Sequence, residues 1–292
     1  MSTNRLALGT VQFGLDYGVA NEAGQVAFEE VHHVMDLAKA NEIDVLDTAI
    51  AYGTSEEVLG KVGVDGFRVV TKLPPLAENQ NNVAQWVTKQ VRESLARLGQ
   101  KKVYGLLLHR SEDLSASQSR QLIQALADLK DVGIVQKIGV SIYSPDELEM
   151  VCKKINIDLV QAPLNVVDRR METSGWLDRL KSDGVEIHTR SVFLQGLLLM
   201  ERSKIPMKFS RWSNMWNIWQ ENLRELGVTP LETCLSYPLS LDQVDQVIVG
   251  VDSAKHLQDI ISAASSVDHV PDTSFMQSKD KNLINPYNWN HF

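Results

Sequence analysis

Eight times along this chain a short apolar run gives way to a stretch with helical periodicity. The runs are RLALGT (5–10), IDVLDTA (43–49), FRVVTK (67–72), VYGLLLH (103–109), VQKIGVS (135–141), IDLVQAP (157–163), VEIHTRS (185–191) and QVIVG (246–250). They show little polar alternation, as parallel strands buried on both faces do. The segments between them place apolar residues at helical spacing: Phe28, Val31, Met35 and Ala38 after the first, and Val83, Val87, Val91, Leu95 and Leu98 after the third. The last intervening helix is expected around ENLRELG. Eight strand and helix pairs in sequence predict a (β/α)8 barrel of the α/β class. No Pro/Gly/Ser-rich linker interrupts them, so one domain is expected over residues 1–292. An open doubly wound sheet is the competing arrangement, but Gly9, Gly14 and Gly18 are too widely spaced for a GxGxxG turn.

Composition narrows the function classes. A formal charge of -8 disfavours nucleic acid and anionic membrane surfaces as partners. No run approaches the length of a membrane span and the N-terminus lacks a signal pattern, so a cytoplasmic protein acting on small molecules is expected. Cys152 and Cys234 fall in no metal or redox spacing, HExxH is missing, and His32, His33 and His188 have no ligand-like spacing. No metal is predicted.

Barrels of this kind carry their chemistry at the C-terminal ends of the strands. There the second strand offers Asp47, with Tyr52 in the loop beyond, the third offers Lys72 and the fourth His109. Any one of these alone has a bland reading as a rim charge or a packed residue. Together their roles fit: a phenol with a pKa near 10 to give or take a proton, an ammonium to lower that value, a carboxylate to steady the ammonium, and an imidazole to orient a substrate oxygen. That set suits proton transfer at an oxygen whose carbon gains or loses a hydride. Beyond Tyr52, Thr54 and Glu57 have the spacing of a helix capping box.

DTAIAYGTSE, VVTK, LLLH and IGVS, in this order and spacing, resemble the aldo-keto reductase superfamily. The resemblance runs from LGT at 8 to HLQDI at 256. It implies an oxidoreductase that moves a hydride between NADP(H) or NAD(H) and an aldehyde or ketone, sugars included, with Asp47, Tyr52, Lys72 and His109 as the catalytic tetrad and Tyr52 as proton donor. It also implies cofactor contacts at Gly9, Thr10, Asp47, Ser141, Gln161, Arg190, Ser191, Phe193, Gln195, Gly196, Gly250, Ser253, His256 and Asp259. Two positions depart from the family: Ile142 stands where Asn is usual, and Arg190 where an aromatic residue stacks on the nicotinamide. Asp252, Ser253 and His256 fall where NADPH-preferring members place basic residues, with only Lys255 basic nearby. An aspartate repels a dianionic phosphate, so use of both cofactors, or preference for NADH, is expected. A non-catalytic, cofactor-binding regulatory protein is the alternative that the family's fold allows. In the long segment after the seventh strand, Trp212, Trp216 and Trp219 recur at helical spacing and are expected to be packing. The tail NPYNWNHF is expected to dock on the barrel.

Overall fold

In a computed structural model, which describes residues 3–266 and 270–291, eight parallel strands close on themselves in sequence order. The strands are β1 (Leu6–Gly9), β2 (Val45–Asp47), β3 (Arg68–Leu73), β4 (Val103–Leu108), β5 (Val135–Ser141), β6 (Leu159–Pro163), β7 (Glu186–Arg190) and β8 (Gln246–Gly250), with β8 paired back to β1. This is the (β/α)8 barrel that the alternation predicts. Each apolar run is hydrogen-bonded to neighbours on both sides and covered by helices outside, which is why the runs lack polar alternation. The principal helices are α1 (Phe28–Ala40), α2 (Ser55–Val62), α3 (Val83–Leu98), α4 (Ser119–Asp131), α5 (Leu148–Lys154), α6 (Arg170–Thr173), α7 (Trp176–Ser182), α8 (Ser213–Leu226), α9 (Pro230–Ser240), α10 (Ala254–Ser266) and α11 (Lys281–Ile284).

One helix differs from expectation. The segment around ENLRELG ends α8, and a second helix, α9, leads into β8. Its start has a complete capping box: Thr229 Oγ1 accepts from Glu232 N, Glu232 accepts from Thr229 N, and Pro230 sits in the first turn. Pro238 near its end breaks the helical signal in the sequence.

Side chains that point into the barrel are stacked in tiers, because residues two apart on a strand face the same way. A small apolar cluster of Ala7, Val45, Val70, Leu107, Leu159 and Ile248 forms the middle tier. Asp47, Lys72, Gln161 and Gly250 lie two residues further along their strands, above that floor. Below it Glu186 accepts from the Tyr104 hydroxyl at 2.7 Å, pairs with Lys137 and meets His188 Nε2 at 2.6 Å. Burial would raise the Glu186 pKa, but these partners together hold its carboxyl down at about 2. The apolar tier separates the two polar ends, so the upper one is isolated from this lower ion-pair network.

The long segment after β7 packs as expected. Trp216 and Trp219 are buried, with their indole N–H groups on the carbonyls of Phe209 and Leu198. The C-terminal tail joins them: Trp289 is buried edge-on against Phe209 at 4.8 Å, and its own N–H reaches Leu283 O.

Candidate active site

Lys72, a cation with no solvent exposure, is the centre of the upper tier. Three acceptors share its Nζ: Asp47 Oδ1 at 2.7 Å, Asp47 Oδ2 at 2.8 Å and the Thr48 carbonyl at 2.9 Å. The Tyr52 hydroxyl lies at 3.4 Å from the same nitrogen. Gln161 Nε2 donates to Asp47 Oδ1 at 2.6 Å, and Ser141 Oγ donates to the Gln161 side-chain oxygen at 3.3 Å. The His109 ring stands edge-on to that of Tyr52, 5.8 Å between centroids. The four groups read from strand ends are thus brought together, with Ser141 and Gln161 beside them.

The loop that carries Tyr52 is held differently from the way its sequence suggests. Thr54 makes no side-chain cap to α2; its Oγ1 accepts from Gln25 instead. The buried Ser55 anchors the loop, its Oγ donating to the Thr10 carbonyl at 2.8 Å and lying within hydrogen-bond distance of the Thr10 and Thr48 hydroxyls. Buried Glu56 ties the helix to its neighbours through Thr71, Ser94 and Arg97. Tertiary partners outbid the local capping box, since three buried hydrogen bonds outweigh one exposed cap. Gly14 is needed in the same place: a Cβ there would meet the Tyr52 carbonyl oxygen at 1.9 Å.

The electrostatics correct one expectation. The Tyr52 phenol is not lowered: burial and the Asp47 carboxylate push its pKa up, and Arg190 opposes them only in part. Lys72 is engaged by Asp47, and its own ammonium is pulled down by burial against Asp47's support. Burial, together with the Lys72 charge, lowers the His109 pKa to about 4. At neutral pH the site therefore holds a protonated phenol and a neutral imidazole.

That sign has a measurable result. The folded value lies below the ordinary 6.5, so the unfolded chain takes up this proton first as pH falls. The stability that His109 contributes is full above pH 6.5 and is lost as pH drops toward 4. We expect the His109 ring protons to titrate by NMR with a midpoint near 4; a midpoint near 6.5 would place the ring in solvent.

The remaining predicted residues fall into two groups. Gly9, Thr10 and Gly250 lie beside Asp47, since Gly9 is the register partner of both Asp47 and Gly250, and Thr10 Oγ1 donates to the Asp47 carbonyl at 3.0 Å. Ser191, Phe193, Gln195 and Gly196 follow β7 in a segment of unusual backbone, where Ser191 (φ 61), Leu194 (φ 50), Gln195 (φ 56) and Gly196 (φ 85) are all left-handed. Such conformations persist at functional sites where the surroundings enforce them. Here Gln195 O accepts from Ala20 N, its side chain donates to the Tyr17 hydroxyl at 3.1 Å, and Asn165 donates to the Ser191 carbonyl at 2.9 Å. Ser253, His256 and Asp259 lie at the start of α10, Ser253 accepting from His256 N at 3.1 Å and Asp259 paired with Lys255.

Arg190 ends β7. Its guanidinium lies 4.6 Å over the Tyr143 ring, donates to the Ile142 carbonyl at 2.9 Å and reaches Ser191 Oγ at 3.2 Å. The sequence reading missed Tyr17, Tyr143 and Glu30. Glu30 Oε1 accepts from Ala254 N at 2.6 Å, so a carboxylate from α1 already occupies the first turn of α10. No local pattern pairs residues 224 positions apart.

The model of the aldo/keto reductase family matches residues 5–279. The chain belongs to this family. It is 25% identical over 256 residues to the uncharacterized oxidoreductase YqkF of Bacillus subtilis (strain 168), covering 80% of this chain and 81% of that one. It is 23% identical over 288 residues to the oxidoreductase sirO of Leptosphaeria maculans, covering 87% and 86%. Among solved structures, the holo form of the aldo-keto reductase AKR11C1 from Bacillus halodurans superposes with a TM-score of 0.75 at 20% identity, over 93% of this chain and 90% of that one. NAD(P)H-dependent reduction of small carbonyl compounds is the general chemistry of the family. Among the described residues no helix is long and apolar enough to cross a membrane.

Proposed function

We propose that this aldo/keto reductase reduces the carbonyl group of aldehydes or ketones with Tyr52 as proton donor. The observation that carries this reading is the Lys72 ammonium held between the Asp47 carboxylate and the Tyr52 hydroxyl on the active face of the barrel. A reduced nicotinamide supplies the hydride when bound. The protein does the rest. His109, neutral near pH 7, donates an N–H to the carbonyl oxygen and turns it toward the phenol. Tyr52 is protonated at the start because burial and Asp47 keep it so. As the carbonyl carbon gains hydride, its oxygen takes the Tyr52 proton, and the new phenolate lies beside Lys72. The same groups run the alcohol oxidation in reverse. Oxidation of reduced nicotinamide should be measurable with a panel of aldehydes, ketones and sugars; cofactor binding with no turnover on any of them would favour a regulatory role.

Features of the fold suit a dinucleotide. Among the described residues the backbone N–H groups of Gln195 and Gly196 donate to no protein acceptor, which leaves them for phosphate oxygens. Gly9 and Gly250, partners at the strand ends, keep the barrel top open beside the tetrad, and a Cβ at Gly250 would strike the Gln12 amide. On this reading Ser141 and Gln161 hold the carboxamide end, Ser191, Phe193, Gln195 and Gly196 line the pyrophosphate, and Ser253, His256 and Asp259 face the adenosine.

At that far end the charges favour NADH. Lys255 is already paired with Asp259, Asp252 is half-buried, and Glu30 accepts the Ala254 N–H that a 2'-phosphate would otherwise take. We expect NADH to bind at least as tightly as NADPH in fluorescence titrations. Glu30→Gln removes a negative charge at the helix start and should tighten NADPH roughly two- to fivefold, with NADH little changed. A wild-type protein that strongly prefers NADPH would overturn this assignment.

A further inference from the structure

We propose that Arg190 makes this enzyme select carbonyl substrates that carry an anionic group, a carboxylate or a phosphate. The proposal rests on the reading of the tetrad as a reductase site and adds the substrate class to it.

The first support is the charge inventory of the site. Asp47 and Lys72 cancel each other across two hydrogen bonds. His109 is neutral near pH 7. Arg190 remains, held by the Ile142 carbonyl, Ser191 Oγ and the Tyr143 ring, and among the described residues no carboxylate lies within ion-pair distance of it. The site thus carries a net single positive charge inside a protein of formal charge -8.

The second support is geometry. Arg190 ends β7 and reaches across to the residues that follow β5, where the Ile142 carbonyl and the Tyr143 ring fix it. The Ile142 carbonyl and Ser191 Oγ occupy two of the five N–H donors, so three remain for a carboxylate or phosphate. Arg190 is tied to the tetrad through its neighbours: the Ile142 carbonyl that it grips belongs to a residue whose N–H donates to the Gln161 carbonyl, and the Gln161 side chain donates to Asp47. The cation therefore lies on the same strand-end face as the proton donor. Tyr143 under the guanidinium and Tyr17 beside Gln195 are each about two-fifths exposed and offer phenols that suit a polar ligand.

An arginine held in this way differs from a solvated rim charge. Its guanidinium is oriented before the ligand arrives, so less side-chain freedom is lost on binding. An uncharged substrate would leave it without a counter-charge.

The test pairs substrates that differ only in charge: succinic semialdehyde against butanal, and erythrose 4-phosphate against erythrose. Wild-type protein should favour the anionic member of each pair by kcat/KM, and Arg190→Gln should lower that anionic-to-neutral ratio roughly ten- to a hundredfold. Arg190→Lys, which keeps the charge without the fork, should retain part of the preference. Fluorescence titration of NADH separates the alternative assignment: if Arg190→Gln weakens cofactor binding and lowers both members of a pair equally, the residue serves the cofactor and the proposal fails. Calorimetry with succinate and with its uncharged diamide is independent of turnover. Succinate binding that disappears in Arg190→Gln supports the anion site even if no carbonyl is reduced, which would refute only the reductase reading. Equal binding of the two compounds, or of succinate by both proteins, overturns the proposal.

Discussion

Tyr52→Phe should lower kcat by roughly 10²- to 10⁴-fold, the range supplied by a positioned general acid. The hydroxyl is the only atom removed, and its hydrogen-bond partner among the described residues, Lys72 Nζ at 3.4 Å, is at the outer limit of a hydrogen bond. Melting temperature and NADH affinity should therefore stay close to those of the wild type. This separation is what makes the variant informative: a fold held by Ser55, Thr10 and Gly14 does not depend on the phenol. If the variant retained full activity, another group would have to supply the proton, and the assignment would fall. Because burial and Asp47 keep Tyr52 protonated, the wild-type rate of reduction should also show no loss between about pH 6 and 9 traceable to this phenol.

Lys72→Met is expected to destabilise the fold as well as stop turnover. It leaves the Asp47 carboxylate, about 6% exposed, with Gln161 as its remaining side-chain donor. Breaking a buried pair in this way costs about 3–5 kcal/mol, or roughly 5–8 °C in melting temperature for a chain of this size. The double variant Asp47→Leu, Lys72→Met should recover much of that loss, because the intact pair is offset by the desolvation of both charges. Thermal melts of the single and double variants test this. If Lys72→Met melts within about 1 °C of the wild type, the carboxylate must be reaching water, and the sealed arrangement of the upper tier would be wrong.

Much of this site was legible in the sequence because a strand and its end are local objects. Apolar runs mark where each strand stops, and in a parallel barrel all the ends meet on one face, so Asp47, Lys72 and His109 could be brought together without coordinates. Tyr52 follows Asp47 closely enough to share that face. Other features were misread for physical reasons. Thr54 and Glu57 have capping spacing, but Ser55 gained buried partners in Thr10 and Thr48, just beyond the ends of β1 and β2, that no local pattern shows. The phenol was expected to be lowered by Lys72, yet Asp47 engages that cation, and burial then dominates. The helix α9 was not separated from α8, because Pro238 and the small polar residues around it weaken its periodicity.

By itself, then, the sequence determined the barrel, the face at which its strands end and the four side chains gathered there, since each depends on patterns a few residues long. Only the tertiary structure decided what those side chains experience. Closure of β8 onto β1 and the burial of the strand ends set which charges cancel, bring Glu30 to the start of α10 and leave Arg190 without a counter-charge. Those outcomes depend on distances between residues far apart in the chain and on the loss of water around them, and neither is written in local order.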